Sequence, residues 1–387
     1  MNVYYFDHSA STPPYESVVR TVAELMAEHY ANAASPHRAG TDAMKLLERA
    51  RGLIAELTGA QANEVVFTSG GTESNNLALK GAVLQAGRGR KHVVTTAVEH
   101  ASVYNCVRQL ERMGVETTVL PVDAAGRVSP DAVAAAIRGD TVLVSVMLVN
   151  NEVGTIQPIR EIGALLKDYP HVKFHVDGVQ AVGKLPILWK AWGVDLFTAS
   201  AHKFRGPKGV GFLLVREGVR LMPLLAGGSQ EGGLRGGTSN LPNIVGMAQA
   251  LRLAEESRER RAENGYRLRR RLLGHVRGIP ELVYNGPEDE RHAAPHIVNL
   301  SYPGMRPEVL VHMLEEQGVL VSTQSACSSK SLKPSRVLLA MGADEARASG
   351  AIRISFGDEH EERDIDELAE RLRRVVGKLK PLERSRA

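Results

Sequence analysis

The chain has few cysteines, few aromatic side chains and no long apolar run. Of its 387 residues two are cysteine and 5% are aromatic, whereas 43% are hydrophobic and 24% are charged. Two cysteines that lie far apart, Cys106 and Cys327, argue against a disulfide-stabilised secreted scaffold and favour a reducing compartment. No apolar run is long enough to span a bilayer. What remains is an ordinary globular composition, with enough apolar residues for about two domains.

Signals for secretion and for common cofactor sites are also missing. The first residues, MNVYYFDHSAS, are neither basic nor apolar enough for a secretory segment. The C-x-x-C spacing of zinc sites is absent, as are the Walker and G-x-G-x-x-G phosphate-binding patterns. We therefore expect a cytoplasmic protein with no metal site and no membrane contact.

The positive charge of the chain is not concentrated in one place. The net charge is +4 and the pI is near 9.0, which would permit weak attraction to nucleic acid. Acidic residues interleave with the basic ones, as in LAEESRERRAENG, and this pattern is typical of solvated helix faces. We expect no direct nucleic-acid binding, and a non-catalytic RNA-binding protein is the alternative from a different class.

Short apolar runs alternate with helical patterns through the first two thirds of the chain. Seven runs bounded by turn residues predict strands: EVVFTSG, KHVVTTAVEH, VETTVLPVD, TVLVSVMLVNNEVG, VKFHVDGVQ, VDLFTASAHK and GVGFLLV. Between them, segments such as SNNLALKGAVLQAG place apolar residues three and four positions apart, as amphipathic helices do. The alternation predicts an α/β domain with a mostly parallel seven-stranded sheet sandwiched by helices.

A smaller α+β unit is predicted after this domain. A charged helical pattern from Leu241 to His275 predicts one long connecting helix. Beyond it, strand-like runs such as HIVNLSYPG and AIRISFG alternate with helical patterns, and a final helix begins at Glu362. We assign residues 14–256 to a large domain, and residues 1–13 and 257–387 to a small domain.

Polar residues gather where the predicted strands end, which is where ligands bind in α/β sheets. FTSGGTESNN follows one strand and opens a helix, so its free backbone N–H groups and the hydroxyl of Thr72 would suit a phosphate. The other strand ends carry His100, Asn150, Asn151, Asp177, Gln180, Ser200, His202 and Lys203. Each alone could be a satisfied cap or core group, but together they predict a functional site.

The two cysteines lie in different surroundings. Cys106 shares an amphipathic pattern with Val103, Val107 and Leu110, which predicts a core position. Cys327 lies in SACSSKS, among small polar residues that would pack poorly in a core. A thiol in that segment is a candidate for chemistry rather than for packing.

The polar set at the mouth of the sheet matches the needs of pyridoxal phosphate. This cofactor requires a lysine amine for its Schiff base and a carboxylate that keeps the pyridine nitrogen protonated, so that the ring accepts electrons. Lys203 and Asp177 are candidates for these two roles.

Motifs along nearly the whole chain resemble the cysteine desulfurase family, in the class V branch of the fold-type-I pyridoxal phosphate transferases. They are, in order, YFDHSASTPP, FTSGGTESNNLALKG, VEHASV, VNNEVGTIQP, FHVDGVQAVGK, SAHKFRGPKGVG, GGSQEGGLRGGTSN, HIVNLSY, SACSS and AIRISFG. The resemblance implies removal of sulfur from L-cysteine, which gives L-alanine and a persulfide on Cys327. The sulfur would then pass to proteins of iron–sulfur cluster assembly or tRNA thiolation. Gln324 departs from the family pattern, where a glycine is frequent, and puts in doubt how quickly Cys327 cycles.

The resemblance also implies how the cofactor is held. Lys203 would form the covalent link, Asp177 would pair with the pyridine nitrogen, and Gln180 would bond the ring hydroxyl. His100 would stack on the ring and pass protons. The phosphate would be held by Gly71, Thr72, Ser200 and His202, and by Thr238 of a neighbouring subunit. A contact from the neighbour implies a homodimer with shared active sites.

Substrate binding follows from the same resemblance. Arg353 and Asn151 would hold the carboxylate of L-cysteine, because the arginine fork matches a carboxylate in two parallel hydrogen bonds. A surface strand position is the alternative for Arg353. His100 and Lys330 are candidates for helping to ionise Cys327.

Two other activities on the same scaffold stay open. An aminotransferase would need no thiol, so SACSS argues against it. A selenocysteine lyase would use the same groups, and only the turnover of the two amino acids separates it from a cysteine desulfurase.

Overall fold

The computed structural model describes residues 3–323, except 88 and 90, and residues 333–384. The strands are β1 Tyr4–Tyr5, β2 Val65–Thr68, β3 His92–Thr96, β4 Glu116–Leu120, β5 Thr141–Met147, β6 Lys173–Asp177, β7 Leu196–Ser200, β8 Gly211–Val215, β9 Val283–Asn285, β10 Ile297–Ser301, β11 Val319–Leu320 and β12 Ala351–Ser355. The helices are α1 Glu16–Glu28, α2 Arg38–Thr58, α3 Gly71–Gln85, α4 Ala101–Arg112, α5 Pro130–Ala136, α6 Ile159–Leu166, α7 Leu241–Glu256, α8 Arg258–Val276, α9 Pro307–Glu316, α10 Arg336–Ala340, α11 Glu345–Ser349 and α12 Glu362–Arg384.

Within the described residues, the seven strands predicted from the apolar runs form one sheet. Its order is β2-β8-β7-β6-β5-β3-β4. All neighbouring strands are parallel except at β8, which runs antiparallel to both β2 and β7. The prediction of a mostly parallel seven-stranded α/β sheet is confirmed.

Helices cover both faces of this sheet, which explains why its strands are nearly continuous apolar runs. Successive residues of a strand point to opposite faces. Val94 and Val144 accordingly belong to the core that includes α2 and α7, whereas Val93 and Leu143 belong to the core that includes α3 and α4. Because both faces of the sheet are buried against helices, polar side chains meet at the strand ends.

A second core lies among the C-terminal elements. The strands β9, β10 and β12 form an antiparallel sheet, and β1 pairs in parallel with β11. Phe6, just after β1, is fully buried in this core. The strand β1 and Phe6 thus pack with the C-terminal part of the chain. The domain boundaries themselves stay a prediction.

The long helix predicted from Leu241 to His275 is two helices, so that prediction is wrong in detail. Helix α7 ends before Ser257, whose φ/ψ angles are −107° and 1°, and α8 begins directly after it. The hydroxyl of Ser257 donates to the main-chain oxygen of Leu253 at 2.8 Å, a bond that competes with continuation of the helix. The break lets α7 pack in the core of the large sheet and α8 in the C-terminal core. Among the described residues, every helix is too short or too polar to cross a membrane.

Candidate active site

A cavity of about 190 Å³ lies at the carboxyl ends of the central strands. Its lining includes ten residues predicted from the sequence: Gly71, Thr72, His100, Asn151, Asp177, Gln180, Ser200, His202, Lys203 and Arg353. The structure therefore brings these ten residues together. Asn150, which was grouped with them, is fully buried, and its side chain instead holds the turn that follows it.

Asp177 is the last residue of β6 and is held by two donors. Its Oδ2 accepts a hydrogen bond from Asn75 Nδ2 at 2.8 Å, and its Oδ1 accepts one from the N–H of Val179 at 3.0 Å. Each carboxylate oxygen has two lone pairs, so two acceptor sites remain for a cationic partner. A buried carboxylate with fixed orientation suits the pairing with a protonated ring nitrogen.

Lys203 lies in the short 3₁₀ turn that follows β7. Its ammonium group donates to the main-chain oxygens of Ser9 at 2.5 Å and Ala10 at 2.8 Å. The N-terminal segment thus contacts the amine that the sequence predicts as the covalent link to a cofactor. Gln180 is tied to the same segment, because its Nε2 donates to the oxygen of Ser9 at 3.0 Å.

The neighbouring His202 is neutral. Burial is the main cause that lowers the pKa of this histidine, to about 3, and the charges of Lys203 and Lys208 lower it further. Its Nδ1 lies 3.3 Å from the hydroxyl of Ser11. A neutral imidazole has one N–H group, which can donate a hydrogen bond to a phosphate oxygen.

The N-terminus of α3 forms a cradle of backbone N–H groups. Gly70, just before the helix, has a φ angle of +142°, which favours glycine. A Cβ atom at Gly71 would lie 2.8 Å from Cγ2 of Val179, so the close approach of the two segments also requires glycine there. The first N–H groups of a helix have no partner within it, and with the hydroxyls of Thr72 and Ser200 they offer donors to an anion.

His100 caps α4 at the edge of the cavity. Its Nδ1 accepts a hydrogen bond from the N–H of Ser102 at 3.2 Å. Burial lowers the pKa of His100, Asp177 acts in the opposite direction, and Lys203 adds to the lowering. The ring is thus neutral near pH 7.

Arg353 on β12 is 1% exposed, so the alternative of a surface position is wrong. Its Nη1 donates to the main-chain oxygen of Asn151 at 2.9 Å, and its Nη2 forms an ion pair with Asp7 Oδ1 at 2.9 Å. Its Nε is buried without a hydrogen-bond partner among the described residues. The guanidinium lines the cavity with N–H groups to spare, as binding of a carboxylate requires.

Among the described residues, Thr238 is a predicted site residue that does not line this cavity. Thr238 is exposed and lies away from it in the same chain. Cys327 lies outside the described residues, as do Gln324 and Lys330. The roles predicted for all of them stay predictions.

The prediction for Cys106 is confirmed. Its side chain is buried in the core that includes α4, next to Val103 and Val107. Burial raises the pKa of its thiol to about 11, so it is protonated and unreactive near pH 7.

Sequence reasoning missed four residues that shape the site. Asp7 pairs with Arg353, Ser9 accepts from Lys203, and Asn75 and Ser102 connect Asp177 to His100. All four lie inside the motifs YFDHSAS, TESNN and VEHASV. Their polarity within those motifs was the available signal. Apart from the contact of Ser102 with His100, however, their partners lie 27 to 346 positions away.

Comparison with known proteins places this site in a family. The model of the family described as "Aminotransferase class-V" matches residues 4–368. The chain belongs to the class-V aminotransferase family. That family is pyridoxal phosphate-dependent, in agreement with the cofactor predicted from the strand ends.

Relatives within the class-V family match over nearly their full length. A NifS/IcsS protein homolog of Lactobacillus delbrueckii subsp. bulgaricus is 43% identical, with 94% of each chain covered. The cysteine desulfurase IscS of Dictyoglomus turgidum is 41% identical, covering 98% of this chain and 95% of that one. A solved structure described as a NifS-like protein superposes with a TM-score of 0.91 at 35% identity, covering 98% of this chain and all of the other.

The class-V cofactor fits the residues that the structure provides. A Cβ atom at Gly71 would lie 2.8 Å from Val179 Cγ2, so a side chain there would force a shift, and with glycine the backbone donors are left to meet a phosphate. Asp177 keeps unused acceptor sites for a ring nitrogen, and Lys203 supplies an amine at the same cavity. The donor set therefore matches each end of pyridoxal phosphate.

Proposed function

We propose that this chain is a pyridoxal phosphate-dependent cysteine desulfurase, which removes the sulfur of L-cysteine and carries it as a persulfide on Cys327. The observation that carries the proposal is the meeting of Lys203, Asp177 and His100 at one cavity beside an anion cradle, in a chain of the class-V aminotransferase family. The named relative from Dictyoglomus turgidum, a cysteine desulfurase, supports the same activity.

Each end of the cofactor has its own residues. Lys203 holds it covalently, Asp177 keeps its ring nitrogen protonated, and Gln180 bonds its ring hydroxyl. Its phosphate is held by the backbone at Gly71 and by Thr72, Ser200 and His202. When bound, pyridoxal phosphate supplies an electron sink for the bonds that break at the substrate.

Arg353 orients the substrate. Its guanidinium binds the carboxylate of L-cysteine, with Asn151 beside it. The bonds of the guanidinium to Asp7 and to the main-chain oxygen of Asn151 fix its plane, and so fix the direction in which the carboxylate binds. The orientation of the carboxylate then places the substrate sulfur on a defined side of the cavity.

Cys327 takes the sulfur. Its thiolate forms an S–S bond with the substrate sulfur as the C–S bond of the substrate breaks, and the electron pair of that bond remains with the carbon skeleton. Protonation of the carbon then gives L-alanine. Cys106 cannot replace Cys327, because its thiol is buried and protonated.

The working form is a cytoplasmic homodimer in which Thr238 reaches the phosphate site of the partner subunit. The exposure of Thr238, away from its own cavity, supports this arrangement. The persulfide passes to acceptor proteins, of which an iron–sulfur cluster scaffold and a tRNA-thiolation enzyme are the two classes we propose. Incubation of the persulfide-loaded protein with one acceptor of each class separates them.

The activity is tested by measuring alanine and sulfide formed from L-cysteine in the presence of a reductant. We expect stoichiometric formation of both, and parallel assays with L-selenocysteine separate a desulfurase from a selenocysteine lyase. Lys203→Ala should lose the visible absorbance of the bound cofactor together with turnover. RNA binding by a cofactor-free preparation that forms no sulfide would overturn the proposal.

A further inference from the structure

A chain of hydrogen bonds runs along the cavity wall from Asp177 to His100. The side-chain nitrogen of Asn75 donates to Asp177 Oδ2 and to Ser102 Oγ, each at 2.8 Å. Ser102 Oγ lies 2.8 Å from His100 Nδ1, and the main-chain N–H of Ser102 donates to the same ring nitrogen at 3.2 Å. The ring nitrogen of His100 that faces Ser102 thus has two neighbours that can donate.

The main-chain donor decides where the proton of the His100 ring lies. A backbone N–H can only donate, so Nδ1 must offer it a lone pair. In a neutral imidazole one nitrogen carries the proton and the other accepts, so the proton lies on Nε2. The ring is neutral near pH 7 because burial lowers its pKa.

The orientation of Asn75 agrees with this assignment. A carboxylate can only accept, so the NH₂ end of the amide must face Asp177. The second hydrogen of that NH₂ group goes to Ser102 Oγ, which leaves the hydroxyl hydrogen to point at His100 Nδ1. The amide oxygen of Asn75 is buried and has no hydrogen-bond partner in the part of the chain that the structure describes. The two donated bonds, and not the oxygen, therefore set the orientation of the amide.

We propose that Asn75 and Ser102 are positioning residues that hold His100 as its Nε2–H tautomer, so that His100 presents a hydrogen-bond donor to the cavity instead of a proton acceptor. His100 lines the cavity, and its Nε2 makes no hydrogen bond with any other residue that the structure describes. The N–H is therefore available to a ligand.

The consequence for catalysis rests on the function proposed above. A preorganised N–H donor can form a hydrogen bond to a lone pair of the substrate sulfur and so orient that atom in the cavity. Proton acceptance then belongs to another group, and Lys203 supplies an amine at the same cavity. His100 thus orients the substrate sulfur without taking up a proton through Nε2.

The tautomer is measured by ¹⁵N NMR of the holoenzyme labelled at histidine nitrogens, with the His100 signals assigned by their loss in His100→Gln. We expect Nδ1 in the unprotonated range and Nε2 in the protonated range at pH 7. A protonated Nδ1, or a doubly protonated ring, would overturn the proposal. The measurement needs no substrate. Absence of L-cysteine turnover would therefore contradict the proposed function without changing the tautomer result.

Variants at Ser102 provide the second measurement. In Ser102→Ala the hydroxyl donor is lost but the main-chain N–H of residue 102 stays, so we expect the Nδ1 signal of His100 to shift while the ring keeps its proton on Nε2. We also expect a fall in kcat on the order of five- to tenfold, with little change in KM for L-cysteine. Ser102→Thr keeps the hydroxyl and should restore both readouts, and Ser17→Ala on α1 serves as the control. Unchanged nitrogen shifts and an unchanged rate in Ser102→Ala would contradict the proposal. If that variant does not fold, the wild-type spectrum alone decides.

Discussion

The carboxylate of Asp7 forms an ion pair with the guanidinium of Arg353, with Oδ1 and Nη2 2.9 Å apart. Asp7 also makes a parallel β-bridge to Ser355, two residues after Arg353, so main chain and side chain join the same two segments. Residues near the start of the chain therefore orient the group that we assign to the substrate carboxylate. The Nε of Arg353 is buried and has no hydrogen-bond partner in the part of the chain that the structure describes.

Arg353→Lys tests this assignment. Lysine keeps the positive charge for Asp7 but cannot form two parallel bonds to a carboxylate, so KM for L-cysteine should rise on the order of tenfold or more. The visible absorbance of the bound cofactor should not change. Arg374→Lys, an exposed arginine on α12 that pairs with Glu370, is the matched control. Equal KM values for the two variants would show that Arg353 does not bind the substrate carboxylate.

Gly71→Ala tests the phosphate cradle. The added methyl group would lie 2.8 Å from Val179 Cγ2, and relief of the clash displaces the backbone donors. We expect cofactor affinity to fall on the order of tenfold, measured by titration of the apo protein with pyridoxal phosphate.

Gly274→Ala is the control for that experiment. Gly274 lies inside α8, is exposed, and has no atom within 4 Å of the position of a new Cβ. Alanine there should stabilise the fold by about 0.5–1 kcal/mol and leave cofactor affinity unchanged. A loss of affinity at both positions would show that the effect at Gly71 is not local.

The two cysteines should differ in alkylation. Cys106 is buried and its pKa is raised to about 11, so iodoacetamide should leave it unmodified in the native protein at pH 8. Cys327 should be modified, with loss of sulfide release. Cys106→Ala should keep full turnover, whereas Cys327→Ala should keep the cofactor spectrum and lose sulfide release. Rapid labelling of Cys106 in folded protein would contradict this account.

Glu99 makes stability depend on pH. Burial is the main cause that raises the pKa of this carboxyl to about 8, and bonds from Thr96 and Met147 only partly offset it. The folded chain keeps a proton on Glu99 where the unfolded chain, with a pKa near 4.5, releases it. Unfolding therefore releases a proton, and the free energy of unfolding should fall by roughly 2 kcal/mol between pH 6 and pH 8 through this group.

Glu99→Gln isolates the effect. Glutamine does not titrate, so denaturant unfolding should show a weaker loss of stability between pH 6 and pH 8 than in the wild type. Glu24→Gln, an exposed position on α1, should leave the wild-type pH dependence in place. If the free energy of unfolding depended on pH equally in Glu99→Gln and in the wild type, Glu99 would be ionised throughout the range from pH 6 to pH 8.

The sequence could predict the sheet and the strand-end residues because both depend on local patterns. Apolar runs such as that of β5 mark buried strands wherever they pair, and polar residues after them reach one edge of a parallel sheet. The pairing of β1 with β11 could not be predicted, because two-residue strands have no periodicity and their partners lie at opposite ends of the chain. The contacts of Lys203 with Ser9 and Ala10 depend on that pairing.

The break at Ser257 is a second example of what pattern alone does not show. The apolar spacing continues through α7 and α8, so a single helix is the simplest interpretation. In the structure α7 packs in one core and α8 packs in the other. The helix breaks between them at Ser257, whose hydroxyl donates to the main-chain oxygen of Leu253. Tertiary packing, not local propensity, decides this boundary.

The central claim is that Lys203 and Cys327 act on the same substrate at one cavity. It is tested most directly by mass spectrometry of the peptide that contains Cys327, after incubation of wild type and Lys203→Ala with L-cysteine. Lys45→Ala, which removes a surface lysine paired with Asp42, is the control. We predict one additional sulfur atom on that peptide in the wild type and in Lys45→Ala, and none in Lys203→Ala. The same additional sulfur in Lys203→Ala would contradict the account.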